Sequence, residues 1–348
     1  MAYQPSFFDE SDRLEALAKL GDPLMELDSH IDFEIFREEL ENAFVKPEPK
    51  GPGGRPSYDV VMMFKMLILQ RLYNLSDEQL EFQVTDRLSF TRFLNIALGQ
   101  SVPDFSTVWR FREALAEGDR VRHLFDLFTQ ALDALGVLAK SGSIIDATIV
   151  EVPRQRNSRS ENEIIKEGKV PKDWKQTPRK LSQKDTDARW TKKNQETFYG
   201  YKDHIKTNAG TVLITDYQVT PANVHDMVAG MELVGEEDAG TSLHADSAYK
   251  SKEMDEKLAA LGIENRIHEK GNRGAQLTEE QKEHNRQKSR VRALVEHVFA
   301  YMENSMNWIY LRCIGLKRAK AQLGLANLTY NLCRYVQLIR LGRVKWAR

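Results

Sequence analysis

The sequence predicts an α/β protein, a mixed sheet with flanking helices, preceded by an all-helical N-terminal domain. Three observations carry this. Residues 58–136 place apolar side chains at helical spacing, with helix-start signals between the runs. After Gly142 the texture changes to short strand-like runs at 143–150, 198–206, 211–219, 241–246 and 262–267, interleaved with helical patterns at about 252–261 and 278–304. Two of the strand runs carry an acid: Asp146 inside Ser143-Ile-Ile-Asp-Ala-Thr-Ile-Val150, and Asp246 ending Ser242-Leu-His-Ala-Asp246.

Taken in order, residues 1–57 form an acidic region and a linker. Ile31, Ile35, Phe36, Leu40 and Phe44 recur at helical spacing and predict one or two helices. Lys46-Pro-Glu-Pro-Lys-Gly-Pro-Gly-Gly-Arg-Pro56 cannot continue a helix. In the domain 58–136, Val60–Leu72 is an apolar helix, and Ser76-Asp-Glu-Gln79 is a capping box opening the next. Asp104-Phe-Ser-Thr107 starts another, and a last one runs from about Arg120 to Leu135. Residues 137–348 read as one sheet-bearing domain with a basic C-terminal helix at about 319–341. Within it, residues 153–197 are polar, basic and nearly free of aliphatic clusters. They are expected to be an insertion between the first two strands, poorly packed on its own.

The chain has 348 residues, 41% of them hydrophobic, which suffices for a sizeable core. No apolar run approaches the ~20 residues that cross a bilayer, and the N-terminus lacks the pattern of a secretory signal. The two cysteines, Cys313 and Cys333, lack metal-ligand spacing, and a reducing cytoplasm is the expected setting. Net charge is −1, but it is unevenly spread. Residues 1–48 hold 4 Lys/Arg against 13 acids; residues 154–193 hold 13 Lys/Arg against 6; residues 305–348 hold 9 and no acid. Two basic blocks can contact phosphates while the acidic head cancels the total. Solvated surface is the bland alternative.

An acid in an apolar strand is costly to bury alone. It becomes reasonable where several converge on hard divalent ions such as Mg²⁺, which prefer carboxylate oxygens. Alternatives stay open for each. Asp146 shares a strand face with Ile144, Thr148 and Val150, and could turn to solvent or bind a structural Arg. His244-x-Asp246 could belong to a zinc or iron site completed by His225, His204 or His297. Glu296 lies roughly 130°, and Arg292 roughly 90°, from the apolar stripe of its helix, so periodicity alone makes both surface residues.

Order and spacing add to this. Asp246 follows Asp146 by 100 residues and Glu296 follows Asp246 by 50. Strand Asp, strand-end Asp and helical Glu, with Arg292 one turn before the Glu, resemble the triad of bacterial insertion-sequence DDE transposases. The nearest likeness is the insertion-sequence-five-type group, whose catalytic domain is RNase H-like. The resemblance extends over Gly54-Arg-Pro56, Val102-Pro-Asp-Phe-Ser-Thr107, Phe111-Arg112, Phe198-Tyr-Gly-Tyr-Lys-Asp-His204, Thr220-Pro-Ala-Asn-Val-His-Asp226, Ala245-Asp-Ser-Ala-Tyr-Lys250 and Gly324-Leu-Ala-Asn-Leu328.

It implies a DNA transposase that cleaves the ends of an insertion sequence and joins the 3′-OH to target DNA. Asp146, Asp246 and Glu296 would be its catalytic acids, holding two Mg²⁺ or Mn²⁺. Its partners would be double-stranded DNA, terminal inverted repeats and target alike, with a homodimer or higher assembly on it. The resemblance places Arg292, Lys202, His204, Asn223, His225, Asp226 and Tyr249 around the acids. Where the family usually has a Lys seven residues after the Glu, this chain has Glu303, so that DNA contact is either missing or supplied elsewhere, by Lys288 or Arg290.

Further DNA contacts are expected from several groups. Ser106, Thr107, Arg110 and Arg112 decorate a helix start, where phosphate binding and plain capping compete. Arg55 has the form of a minor-groove hook. Trp174 and Trp190 could stack on an unpaired base or anchor the insertion. Lys317, Arg318 and Lys320 belong to the C-terminal basic block. A metal-dependent nuclease without strand transfer, and an inactive DNA-binding descendant, are the rival readings.

Overall fold

The structure is a computed structural model that describes residues 9–44, 57–97, 99–138, 140–271, 276–307 and 310–344. The chain divides into two compact units, Met1–Phe128 with Leu332–Arg348, and Thr129–Asn331. The division differs from the sequence boundaries at both ends, because it falls inside the helices Arg120–Ala134 and Leu316–Arg340.

The first unit is all helical. Asp22, Asp32 and Asp59 each accept a backbone N–H at a helix start. The capping box at Ser76 and Gln79 forms both of its hydrogen bonds. The Pro/Gly linker lies outside the described residues. The acidic head has more pieces than expected: Asp9–Leu20, Pro23–His30, a 3₁₀ turn Phe33–Phe36 and Arg37–Ala43. The tighter winding at 33–36 rotates Ile35 outward, while Phe36 and Leu40 are buried. The helix Val60–Leu72 is buried on most of its surface, and Phe64 meets the rings of Phe33 and Phe36.

The second unit is built on a six-stranded mixed sheet: β1 (Ser143–Glu151), β2 (Arg189–Lys193), β3 (Glu196–Asn208), β4 (Ile214–Pro221), β5 (Ser242–His244) and β6 (Glu264–Asn265). Their order is β2-β3-β1-β5-β6, with β4 also on β3. β1, β3 and β4 pair antiparallel, and β5 and β6 run parallel to β1. This is the RNase H-like layer expected from the sequence, with β2 added. The helix Asp226–Leu233, absent from the sequence reading, follows β4. One expected helix over 278–304 is two, Glu279–Arg292 and Leu294–Asn304, with Ala293 serving as the cap of both.

The insertion departs most from expectation. It is folded: helices Arg159–Lys166, Lys172–Gln176 and Pro178–Leu181 lead into β2, which pairs with β3. The turn between these strands places Asn194 and Gln195 both at positive φ, the geometry of a tight hairpin. Trp174 is fully buried, donates its indole N–H to Glu161 at 2.7 Å, and lies under Lys180 and Lys184. One large aromatic ring and a charged network replace the aliphatic cluster that the segment lacks.

Candidate active site

Asp146 lies mid-way along β1, beside β5. Ser143 and Ile144 pair with Leu243 and His244, so the parallel register, carried two residues on, brings Asp146 alongside Asp246 just past the end of β5. The Ala147 N–H donates to Asp146 Oδ1 at 2.8 Å. Asp246 Oδ1 accepts the Ala248 N–H at 2.7 Å and caps the short turn Ser247–Tyr249.

Glu296 comes from the helix Leu294–Asn304 and is exposed. Arg292 ties it in, donating to Asp146 Oδ2 at 2.8 Å and to Glu296 Oε1 at 3.3 Å. The break at Ala293 puts the two residues on either side of a helix junction. Burial pushes the Asp146 carboxyl up to about 6. The Ala147 N–H and Arg292 pull it down, and Asp246 and Glu296 push it further up. Burial outweighs a close ion pair here, so the acid pair has less positive charge than it can use. Among the described residues no three His, Cys, Asp or Glu side chains are gathered closely enough to enclose a metal. Arg292 supplies the positive charge between Asp146 and Glu296.

Lys202 and His204 do not share the Asp146 face. Asp146 pairs with Ile205 and Ala147 with His204, and alternate residues point to opposite faces. On that far face Lys202 donates to Asp226 Oδ1 at 2.7 Å and to the Val224 carbonyl at 2.8 Å. His204 is buried against Thr220 Oγ1 at 2.9 Å, and burial lowers it to about 4. Asn223 is exposed, and His225 caps the helix Asp226–Leu233. Tyr249 is buried, with the charges of Asp146, Asp226 and Asp246 around it.

The expected DNA contacts divide. Arg112 is committed inside its unit to Asp77 and Gln70, at 2.5 and 2.9 Å. Lys288 holds the Ile267 carbonyl at 2.8 Å. Asp104, not Ser106, caps the helix Phe105–Leu115; Ser106 Oγ donates to Asp104, and Thr107 gives it its N–H. Arg110 lies within 3.5 Å of Ser106 Oγ. Arg290, Lys317 and Lys320 are exposed, and Arg318 is half-buried near the Ile314 carbonyl. Arg55 lies outside the described residues. Buried Trp174 takes the anchoring role, because it has no free ring face for a base. Trp190 is 44% exposed, packs on Tyr199, and lines a cavity of about 360 Å³ with Asn157, Asn162 and Asn223.

The sequence reading missed His268. It follows β6, its backbone N–H reaches the Ala245 carbonyl, and its ring lies 3.3 Å from Ser289 Oγ. Burial, then Arg292 and Lys288, lower its pKa, while Asp246 opposes them. The signal was there: the carboxyl ends of adjacent parallel strands are where α/β sheets build sites.

Residues 138–332 match the family model "Transposase DDE domain", and residues 12–114 match a second, "Transposase domain (DUF772)". A solved structure, the cryo-EM piggyBac transposase synaptic complex with hairpin DNA, aligns with a TM-score of 0.46 and 12% identity over 96% of this chain and 78% of that one. No helix among the described residues is long and apolar enough to cross a membrane. The first family model covers more than half of the chain, and the chain belongs to the DDE transposases, a family of DNA-cleaving enzymes that generally use divalent metal ions.

Proposed function

We propose that this chain binds the ends of an insertion sequence, cleaves them, and joins the freed 3′-OH to target DNA, with Asp146, Asp246 and Glu296 as its catalytic acids. The carrying observation is the parallel pairing of β1 with β5, which runs Asp146 toward Asp246 two residues past the end of β5, with Arg292 joining Asp146 to Glu296.

The donor set suits Mg²⁺ or Mn²⁺, because all three groups offer hard carboxylate oxygens and Asp146, raised first by burial and then by Asp246 and Glu296, is short of positive charge. Asp146 and Asp246 would hold two ions, and Glu296 would complete the shell. Such ions supply Lewis acidity for displacement at a phosphodiester. Arg292 orients Asp146 and Glu296, and its guanidinium suits a phosphate as well as a carboxylate. Lys202 acts from the far face by fixing Asp226, His204 stands beside it held by Thr220, and His225 fixes the start of the helix.

Arg290, Lys317, Arg318 and Lys320 are the DNA-backbone contacts, joined by Arg110, Ser106 and Thr107 at a helix start and by Trp190 beside the amide-lined cavity. Arg290 is exposed where Lys288 is committed, so Arg290 takes the contact that Glu303 cannot make. Joining needs both element ends at once, so the working form is a homodimer or larger on DNA, acting in the bacterial cytoplasm.

The test is a strand-transfer assay with supplied element ends, target DNA and Mg²⁺. Joined products are expected. Nicked ends without joining would make the protein a hydrolytic nuclease, and no cleavage in any divalent ion would remove the acidic site as the reactive centre.

A further inference from the structure

The helix Glu279–Arg292 delivers Arg292 to Asp146, yet it has almost nothing apolar with which to dock. Val291 is its only aliphatic residue, and none of its residues is buried. A helix of this length is marginal alone, and most helical stability comes from packing an apolar face. Polar contacts hold this one instead, and the helix lies against β5.

These contacts share one face and meet one segment. Asn285, Lys288, Ser289 and Arg292 follow the i, i+3, i+4, i+7 pattern, so they line a single side of the helix. Residues 267–269 continue β6, the edge strand of the sheet, and the His268 N–H binds the Ala245 carbonyl, next to Asp246, at 3.1 Å. Asn285 Oδ1 accepts the Glu269 N–H at 2.9 Å, and Asn285 Nδ2 donates to the Glu269 carbonyl at 3.1 Å. One amide thus satisfies both backbone groups of a residue at the sheet edge, where no further strand is present to pair with them. Lys288 donates to the Ile267 carbonyl at 2.8 Å and lies 3.6 Å from Glu269 Oε1. Ser289 Oγ meets His268 Nε2 at 3.3 Å. Arg292 stands two turns, about 10 Å, beyond Asn285.

We propose that Asn285 is a positioning residue: by gripping the Glu269 backbone it docks the helix Glu279–Arg292 on the strand end beside Asp246, and so sets the reach of Arg292 to Asp146. The inference rests on the acidic-site reading above. Asn285 touches none of the acids, and acts on them only through the helix that carries Arg292. The next helix, Leu294–Asn304, docks differently, through buried Val295, Val298, Phe299 and Met302. The break at Ala293 therefore separates a segment held by polar contacts from one held by its apolar stripe.

Asn285→Ala removes both backbone bonds. The test pairs amide hydrogen exchange, done without metal or DNA, with single-turnover cleavage of an element-end duplex in Mg²⁺ over a range of protein concentrations. Exchange over residues 279–292 should quicken about 10-fold, as expected for two lost hydrogen bonds, while residues 294–304 keep the rate of the unaltered chain. The maximal cleavage rate should fall about 10-fold, at an unchanged protein concentration for half of that rate. A role confined to stability would leave the maximal rate intact below the melting temperature. Unchanged exchange over 279–292, an unchanged maximal rate, or a loss only in apparent DNA affinity would overturn the proposal. If the unaltered chain cleaves nothing, the acidic-site reading fails instead, and hydrogen exchange alone decides whether Asn285 docks the helix.

Discussion

Asp185 in the insertion and Asp146 in the sheet belong to the same unit and are both largely enclosed, but they are supplied very differently. Asp185 accepts hydrogen bonds from Tyr201, from the N–H groups of Asp187 and Ala188, and from the Gly315 N–H. Asp187 adds the Leu316 N–H, so two insertion acids cap the start of the helix Leu316–Arg340. Asp146 has one N–H, one shared Arg and two acidic neighbours. A satisfied carboxylate network holds a segment in place. An under-supplied one is what the proposed cation site would use. The difference separates structure from function more clearly than the charge of either segment does.

The sharpest way to break the comparison is to neutralise each side. Asp246→Asn and Glu296→Gln should each cut divalent-dependent DNA cleavage by more than the ~100-fold typical of losing an outer-shell partner, with melting temperatures near that of the unaltered chain. Retained cleavage in either would remove that acid from the site.

On the structural side, Trp174→Ala should cost about 3–5 kcal/mol, as expected for a fully buried aromatic. Urea unfolding checks this; a loss under about 1 kcal/mol would mean the insertion does not depend on its buried ring.

The pH response should also differ. Asp146 titrates near 6 when folded and near 4 when unfolded. The folded state therefore binds this proton more tightly. Its contribution is fully present below about pH 4 and is lost as pH rises through about 6, a change on the order of 2 kcal/mol. Asp146→Asn should remove that downward slope, seen by unfolding at pH 4 and pH 7 in metal-free buffer. Identical slopes in both proteins would contradict the raised value.

The smallest effect is at the insertion's edge. Ser158 and Glu161 form a complete capping box, and the Ser158 backbone, then Trp174 and Lys180, hold Glu161 down to about 2. Ser158→Ala should cost about 1 kcal/mol, measurable as a small shift in the unfolding midpoint. A cost equal to that of Trp174→Ala would show that the cap, not the ring, organises the segment.

The sheet was legible because alternation and apolar runs report burial directly. The strand carrying Asp146 and the capping box at Ser76 are visible without structure; Asp246, read as ending its strand, lies two residues past β5 and caps the next turn. The insertion was not legible, because its stability comes from one buried Trp, hydrogen-bonded acids and a hairpin whose turn, Asn194-Gln195, lacks the usual glycine. Glu296 was invisible to periodicity, since it lies off the apolar stripe, and only the family pattern singled it out. The opposite-face position of Lys202 and His204 needed the β1–β3 register, which no local pattern encodes. Arg112 and Lys288 looked like free cations because their partners, Asp77 and the Ile267 carbonyl, are distant in sequence.

The most direct test of the acidic site is single-turnover cleavage of an element-end duplex in Mg²⁺ by the unaltered chain and by Asp146→Asn, with DNA binding measured alongside. The account predicts cleavage only in the unaltered chain and similar DNA affinity in both. Comparable cleavage by Asp146→Asn would contradict it.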